Sequence, residues 1–211
     1  DVYKRQSYDL AGDFSDLNNP NGAWSYRDAA GNLIPASVAG WLPEQLGREQ
    51  PAWADSEQFA PGWALSNGGS LVGPHPEYDW PVDTVMSHGP SLVRWKAPGD
   101  GNVTISGGAW LLRSFGLGQS VRITYNGFIF ASGTLVAADA GPGGAVNSTK
   151  PLSFESFGQV PGSLSFGVRF RDEIDFTALP LGGPHDFVAY DVQIQFCLLY
   201  TSDAADERSS V

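Results

Sequence analysis

The sequence predicts an all-β fold, with two antiparallel sheets packed as a β-sandwich. Of its 211 residues, 26 are Gly and 15 are Pro, a composition that disfavours long helices. Hydrophobic residues make up 42% of the chain and charged residues only 17%, which excludes an intrinsically disordered protein. Apolar and polar residues alternate in many short runs after Val82, and this period of two is typical of half-buried strands.

The N-terminal strands are separated by strong turn signals. Alternation in Ser7–Phe14 and in Ala23–Arg27 predicts two strands. Between them, Asn18–Gly22 (NNPNG) combines Asn and Gly, which tolerate positive φ, with Pro, whose φ is fixed. A second turn at Asp28–Asn32 is expected to lead into a short extended segment at Asn32–Ile34.

A Trp-rich insert at 41–81 differs from the rest of the chain. It combines several Trp residues with many Pro and Gly, and only Glu44–Arg48 has the pattern of a helical turn. A segment of this length is too long for an idle connection inside a compact domain. We expect it either to fold over the sandwich or to form a binding surface.

From Val82 onward the β pattern is continuous. Asn126-Gly127 lies between two alternating runs and is the strongest hairpin signal, because a type I′ turn needs positive φ at both central positions. In Ser163–Arg171 the apolar residues Leu164, Phe166, Val168 and Phe170 are expected to face one side. With the N-terminal strands, the pattern predicts roughly nine to eleven strands. Those after Val82 are 83–87, 91–97, 102–112, 119–125, 128–133, 152–157, 163–171, 174–177 and 187–196.

The charge balance excludes several classes of partner. Twelve basic and 23 acidic residues give a formal net charge of −11 and a pI near 4.5. Without a cluster of Lys and Arg, neither nucleic-acid binding nor binding to an anionic membrane surface is expected. No apolar run approaches the roughly 20 residues of a membrane span, so membrane insertion is not predicted. The pattern does not indicate an oligomeric state.

The two ends of the chain lack the strand pattern of residues 7–196. Residues 1–6 (DVYKRQ) and 197–211 (CLLYTSDAADERSSV) resemble translated sequencing-adapter read-through that flanks metagenomic gene fragments. One domain is therefore expected at 7–196, with an artefact at each end and a signal peptide outside the fragment. The single cysteine, Cys197, excludes an internal disulfide framework and a thiolate metal cluster.

Several segments of the chain match the motifs of a known family in the same order. They are Asn19–Tyr26 (NPNGAWSY), Met86–Pro90 (MSHGP), Val93–Pro98 (VRWKAP), Val121–Phe130 and Arg171–Phe176 (RDEIDF). In these segments the chain resembles exported bacterial ectodomains of the PEP-CTERM sorting type. It implies a jelly-roll, galactose-binding-like fold, an extracellular or cell-surface location and a carbohydrate-binding role. The chain departs from that family where Arg171-Asp172 replaces Gly-Asp, and it shows no sorting signal.

One pair of carboxylates suggests an enzyme. Glu173-Ile174-Asp175 resembles the strand-borne motif of laminarinase-type jelly-roll glycoside hydrolases, in which alternate carboxylates face a cleft. Retaining hydrolysis needs a nucleophile and an acid/base roughly 5–5.5 Å apart, but the place of the second Glu is taken by 177–179 (TAL). We therefore expect a non-enzymatic protein, with a glycan-active hydrolase or lyase as the alternative.

Metal and cofactor motifs are absent from the sequence. The three histidines lack the spacing of a zinc site, and neither a nucleophile elbow nor a phosphate-binding loop occurs. No cofactor is therefore expected. A structural calcium ion is the alternative, because five Asp residues lie on terminal strands that a jelly roll can bring together. The histidines are His75, His88 and His185, and these Asp residues are Asp9, Asp13, Asp172, Asp175 and Asp191.

The Trp-rich insert is the candidate binding site. Sugars present apolar C–H faces that stack on aromatic rings, and nearby polar groups bind the hydroxyls. The expected partner is a polysaccharide or surface glycan. In the alternative, the rings pack the insert onto the sheet and the protein is purely structural. The exposure of the rings distinguishes the two roles. The candidate glycan-binding residues are Trp41, Trp53, Trp63, His75, Tyr78, Asp79 and Trp80.

Overall fold

The computed structural model has two antiparallel sheets packed face to face, which confirms the predicted β-sandwich. It describes residues 5–35, 37–41, 50–53, 62–67, 78–89, 91–113, 118–140, 144–157, 164–182 and 186–199. These residues form fourteen strands and two short 3-10 turns, Ala137–Asp139 and Phe154–Ser156. The strands are β1 Arg5–Asp9, β2 Trp24–Asp28, β3 Ser37–Trp41, β4 Gln50–Trp53, β5 Trp63–Leu65, β6 Val85–Ser87, β7 Ser91–Lys96, β8 Gly101–Leu111, β9 Gln119–Tyr125, β10 Phe128–Leu135, β11 Leu152–Ser153, β12 Leu164–Val168, β13 Glu173–Pro180 and β14 Val188–Leu198.

The larger sheet is built on one long strand pair. Strands β8 and β14 are antiparallel and pair along their full length, from Gly101 opposite Leu198 to Leu111 opposite Val188. Short strands share each outer edge of this pair, with β12 and β11 on β8 and with β1 and β6 on β14. From β6 the sheet continues through β5 and β4 to β3.

The smaller sheet has the strand order β10-β9-β13-β7-β2. Strands β9 and β10 form the predicted hairpin, in which Asn126 and Gly127 have φ of 49° and 83°. These positive angles are the ones a type I′ turn requires, so this prediction is confirmed. The edge strands of this sheet are β10 and β2.

The main core lies between the two sheets. Trp24, Trp95 and Phe176 of the smaller sheet are at most 1% exposed, and they face Tyr190 and Phe196 of the larger sheet. Burial of each such ring stabilises the fold by roughly 1.5–3 kcal/mol. Polar residues alternate with them along the same strands and point away from the core.

Three predicted strands end earlier than expected. The strand predicted at Leu152–Phe157 stops at Ser153, because the chain continues there into the 3-10 turn Phe154–Ser156. The strand predicted at Ser7–Phe14 stops at Asp9, because its Oδ1 accepts the N–H groups of Ala11 and Gly12 and turns the chain. The strand predicted at Ser163–Arg171 stops at Val168. Phe170, predicted to share a face with Leu164 and Val168, therefore lies in a turn and is 57% exposed.

The strands pair slightly beyond the predicted domain limits. Arg5 lies opposite Cys197, and Gln6 lies opposite Phe196, where β1 meets β14. The backbone at these positions therefore belongs to the larger sheet. Within the described part of the chain, no helix has both the length and the apolar character needed to cross a membrane.

Candidate functional site

The first two described rings of the Trp-rich insert belong to the main core. Trp53 in β4 is 4% exposed and Trp63 in β5 is fully buried. Trp53 stacks against Tyr26 at 6.3 Å, and its Nε1 donates a hydrogen bond to the carbonyl of Ser15 at 2.6 Å. Neither ring presents a face to solvent, contrary to what a glycan platform requires, because strand pairing directs both rings between the sheets.

The end of the insert covers the outer face of the larger sheet. Tyr78 is 8% exposed and packs with Trp110 in a second core, formed by Ala52, Ala64, Tyr78, Met86, Trp110, Leu112 and Ala189. Asp79 ties this segment down, since its carbonyl accepts the Trp110 Nε1–H at 2.8 Å and its carboxylate accepts both Ser148 N–H and O–H at 2.6 Å. Trp80 is half-buried, and its Nε1 donates to the Thr84 carbonyl at 3.2 Å.

This arrangement fits the expectation that the insert folds over the sandwich. The side chain of Trp41 and all of His75 lie outside the described residues. Glycan contact by Trp41, His75, Asp79 and Trp80 therefore stays a prediction.

A polar and aromatic cluster borders the second core. Arg113 Nε donates to Asp186 Oδ1 at 2.7 Å, and its guanidinium lies 5.4 Å from the Phe187 ring. The His88 ring lies 4.4 Å from the same phenyl ring. Three separate segments contribute these residues, so no local motif in the sequence indicates the cluster.

The candidate catalytic carboxylates serve as ion-pair partners. Glu173 and Asp175 share one face of β13, as their spacing predicts, and this is the outer face of the smaller sheet. Arg94 binds both, with Nε and Nη2 donating to Asp175 at 2.7 and 2.9 Å and Nη1 lying 2.5 Å from Glu173. The hydrogen bond to Asp175 raises the Arg94 pKa, against the opposing effect of burial. Both carboxylates are thus engaged in ion pairs with Arg94.

Four of the five Asp residues considered for calcium, Asp9, Asp13, Asp172 and Asp175, have hydrogen-bond or ion-pair partners within the protein. Asp13 Oδ2 accepts the Asp9 N–H and the Trp24 Nε1–H, and Asp175 binds Arg94. Burial, and then the nearby Asp9 carboxylate, raise the pKa of Asp191. Among the described residues, no group of three His, Cys, Asp or Glu side chains could hold a metal ion. A structural calcium ion therefore stays a prediction.

The clearest exposed aromatic surface lies on the edge strand β10. We call Tyr125, Phe128, Phe130 and Phe166 the edge cluster, because it joins β9 and β10 of the smaller sheet to β12 of the larger sheet. Phe128 is 81% exposed and Phe130 42% exposed. The Phe130 and Phe166 ring centroids are 4.4 Å apart, and Tyr125 meets Phe166 edge-on at 5.2 Å.

Hydrogen bonds hold the hairpin next to this cluster in place. The Tyr125 hydroxyl and Asn126 Nδ2 both donate to the Asp172 carboxylate, the latter at 3.0 Å. Asn126 Oδ1 in turn accepts the Glu173 N–H at 2.9 Å. Partial burial raises the pKa of Asp172, but donors led by the Tyr125 hydroxyl outweigh this effect, so the net shift is downward. These hydrogen bonds tie the turn to the start of β13.

One feature of the sequence, a run of consecutive apolar residues within a predicted strand, indicates the edge cluster. Phe128, Ile129 and Phe130 are three consecutive apolar residues, so they place apolar groups on both faces of β10. An edge strand of a sandwich can bury only one face, and a register shift between Ile129 and Ala131 interrupts the alternation at this end of the strand. At least part of such a run must therefore meet solvent.

Comparisons with known proteins leave the family of the chain open. No protein-family model and no curated protein sequence matches it. One similar solved structure is the carbohydrate-binding module CBM36 in complex with calcium and xylotriose, with 17% identity and a TM-score of 0.27 over 55% of this chain and 82% of that one. Another is a family 35 carbohydrate-binding module from Clostridium thermocellum, with 11% identity and a TM-score of 0.31 over 82% of this chain and 98% of that one.

A third similar structure is the Agl-KA catalytic domain, with 14% identity and a TM-score of 0.25 over 61% of this chain and 23% of that one. At such low identities and TM-scores, what these proteins bind or catalyse remains a property of those proteins. None of the three supports the resemblance to PEP-CTERM ectodomains or the adapter origin of the termini.

Proposed function

We propose that this domain is a non-enzymatic carbohydrate-binding module and that the edge cluster contacts the glycan. The observation that carries the proposal is the exposure of Phe128 and Phe130 on a strand whose turn is fixed by hydrogen bonds. Exposed rings in a fixed position stack on the apolar C–H face of a sugar at little entropic cost. Beside them, the Asn126 and Asp172 side chains carry the polar atoms that sugar hydroxyls require.

The engagement of Glu173 and Asp175 by one arginine supports binding rather than catalysis. Glu173 and Asp175 are both engaged by Arg94, and the described part of β13 offers no second Glu in the place a retaining hydrolase needs. We further propose an extracellular or cell-surface location, because the sequence resembles exported bacterial ectodomains. Cell fractionation of the native host tests the location directly.

A glycan array tests the binding proposal. We expect the wild-type protein to bind at least one glycan and Phe128→Ala/Phe130→Ala to lose about 30-fold in affinity, since each ring face contributes about 1 kcal/mol and the two together about 2 kcal/mol. Leu17→Ala is the matched control, because Leu17 is 80% exposed and lies outside the edge cluster. Phe130→Tyr keeps the ring and should retain binding.

Failure of the folded wild-type protein to bind any glycan on a broad array would refute the proposal. Equal binding by the wild-type protein and the double variant would refute the assignment to the edge cluster. In the first case, the purely structural role anticipated from the sequence becomes the better account.

A further inference from the structure

The outer face of the smaller sheet collects positive charge in an acidic protein. The outward-facing positions of its five strands carry four cations, Arg27, Arg94, Lys96 and Arg122, and two carboxylates, Glu173 and Asp175. We call these four cations and the hydroxyl residues between them the basic face. The whole chain has a formal charge of −11, so this local excess of cations runs against the overall charge.

Two cations of the basic face lack an acidic partner among the described residues. Arg94 is held by Asp175 and Glu173, and Lys96 lies 3.3 Å from Glu173. Arg27 is held by neutral acceptors, donating to the Ser25 hydroxyl and the Gly31 carbonyl. Arg122 forms neither a hydrogen bond nor an ion pair through its side chain within the described part of the chain.

The register of the sheet sets the spacing of these two cations. Arg27 lies opposite Leu92, Leu92 opposite Thr177, and Thr177 opposite Arg122. Arg27 and Arg122 therefore occupy one row across the sheet, three strand spacings or about 14 Å apart. Between and around them lie the hydroxyls of Ser120, Thr124, Ser132 and Thr177.

We propose that the basic face binds an acidic polysaccharide, whose carboxylate or sulfate groups pair with Arg27 and Arg122. A guanidinium binds either group through two parallel hydrogen bonds, and the hydroxyls of the row match those of the sugars. The face also adjoins the edge cluster, because Ile129 next to Phe128 and Phe130 lies opposite Thr124 on the outer side of β9. This inference rests on the proposed glycan-binding function and names the chemical class of the glycan.

Charge spacing favours a polysaccharide over a nucleic acid. Double-stranded DNA carries one negative charge per roughly 1.7 Å of its axis, and binding it requires many cations. The basic face offers two widely spaced guanidinium groups, which suit a polymer with at most about one charge per sugar. At physiological ionic strength the acidic remainder of the surface is screened beyond about 8 Å, so it does not prevent contact at this face.

Binding to a matched set of polymers tests the proposal. The set contains polygalacturonate and alginate as carboxylate polymers, dextran sulfate as a sulfate polymer, neutral dextran, and double-stranded DNA. We expect the tightest binding to a carboxylate or sulfate polysaccharide at low salt and its loss at high salt, where the screening length falls to about 3 Å at 1 M. Comparison of the carboxylate polymers with the sulfate polymer identifies which anionic group is preferred.

Charge-removing variants locate the site. Arg27→Gln/Arg122→Gln should weaken binding of the acidic polymer by about tenfold, as expected when two exposed ion pairs with the polymer are removed together. Lys150→Gln/Arg171→Gln removes the same charge from exposed positions outside the basic face and should leave binding unchanged. Urea unfolding of both double variants checks that each is folded.

The outcomes separate this proposal from the one on which it rests. If neutral glycans bind through Phe128 and Phe130 while Arg27→Gln/Arg122→Gln has no effect on any polymer, the basic face is not a glycan site and the proposed function stands. If the acidic polymer requires the two Arg residues but not the two Phe residues, the edge-cluster assignment fails and the basic face stands. Binding of DNA as tight as that of the polysaccharides, or no binding of any acidic polymer at low salt, overturns the inference.

Discussion

The ion pair between Arg94 and Asp175 predicts that neutralising Asp175 destabilises the protein much more than neutralising Glu173, which lies on the same face of β13. The Asp175 side chain is 9% exposed and accepts two hydrogen bonds from Arg94, whose own side chain is 19% exposed. Asp175→Asn removes the charge and turns one acceptor into an N–H donor that faces the guanidinium. One lost charge-assisted hydrogen bond is worth about 1.5–3 kcal/mol, and Glu173 can compensate in part. We therefore expect Asp175→Asn to lower the free energy of unfolding by about 2 kcal/mol.

Glu173→Gln is the matched comparison. Glu173 also contacts Arg94, but its side chain is 30% exposed, so the loss should stay below about 1 kcal/mol. Urea unfolding followed by Trp fluorescence measures both changes, since buried Trp95 and Trp24 report on the core. At an ordinary slope a loss of 2 kcal/mol moves the urea midpoint by about 1 M.

An Asp175→Asn loss no larger than that of Glu173→Gln would contradict a special role for the buried Arg94–Asp175 pair. A double variant supplies a further check. Arg94→Met with Asp175→Leu removes the whole pair and leaves Glu173 paired with Lys96, so it should recover much of the stability lost in Asp175→Asn. A double variant as unstable as Asp175→Asn would mean that packing at this position, rather than charge, carries the effect.

Three further substitutions give distinct outcomes in the same unfolding assay. Gly107→Ala should cost roughly 3 kcal/mol or more, because φ is +104° and the added Cβ would lie 2.0 Å from the Asp191 carbonyl oxygen; a mild effect would contradict this close approach. Tyr26→Phe should be neutral or stabilise by about 1 kcal/mol, since the buried hydroxyl has no partner among the described residues; clear destabilisation would reveal one. The raised pKa of Asp191 means that ionisation costs the folded state more, so stability falls as pH rises through that pKa. Asp191→Asn should therefore gain less than about 1 kcal/mol at neutral pH and nothing below the ordinary Asp pKa of about 3.9, whereas a gain that persists in acid would contradict the sign.

Local chemistry made part of the fold predictable. The Asn126-Gly127 turn follows from the backbone freedom of two adjacent residues, and the strands around it follow from unbroken alternation. The spacing of Glu173 and Asp175 likewise placed both carboxylates on one face before any partner was known. Each of these features depends on residues close together in the chain.

The remaining features depend on partners far away in the chain. Strands β4 and β5 have only four and three residues, too few for a period to emerge, and they exist because they pair with each other and with β6. Their Trp53 and Trp63 therefore became core residues rather than exposed platforms. The exposure of Phe128 and Phe130 follows from the position of β10 at a sheet edge, which is a property of strand order.

The full-length pairing of β8 with β14 has a consequence for how fast the domain can fold. It joins Gly101 to Leu198 and Leu111 to Val188, so the chain must close a very long loop before this pair forms. Strand β1 pairs only with β14 among the described strands, and its docking has to wait for the C-terminal end of the sheet. Such non-local topologies fold in milliseconds to seconds, so we expect slow refolding even for a stable domain. A chain emerging from the ribosome would expose the edge of β8 that later pairs with β14 until β14 is synthesised.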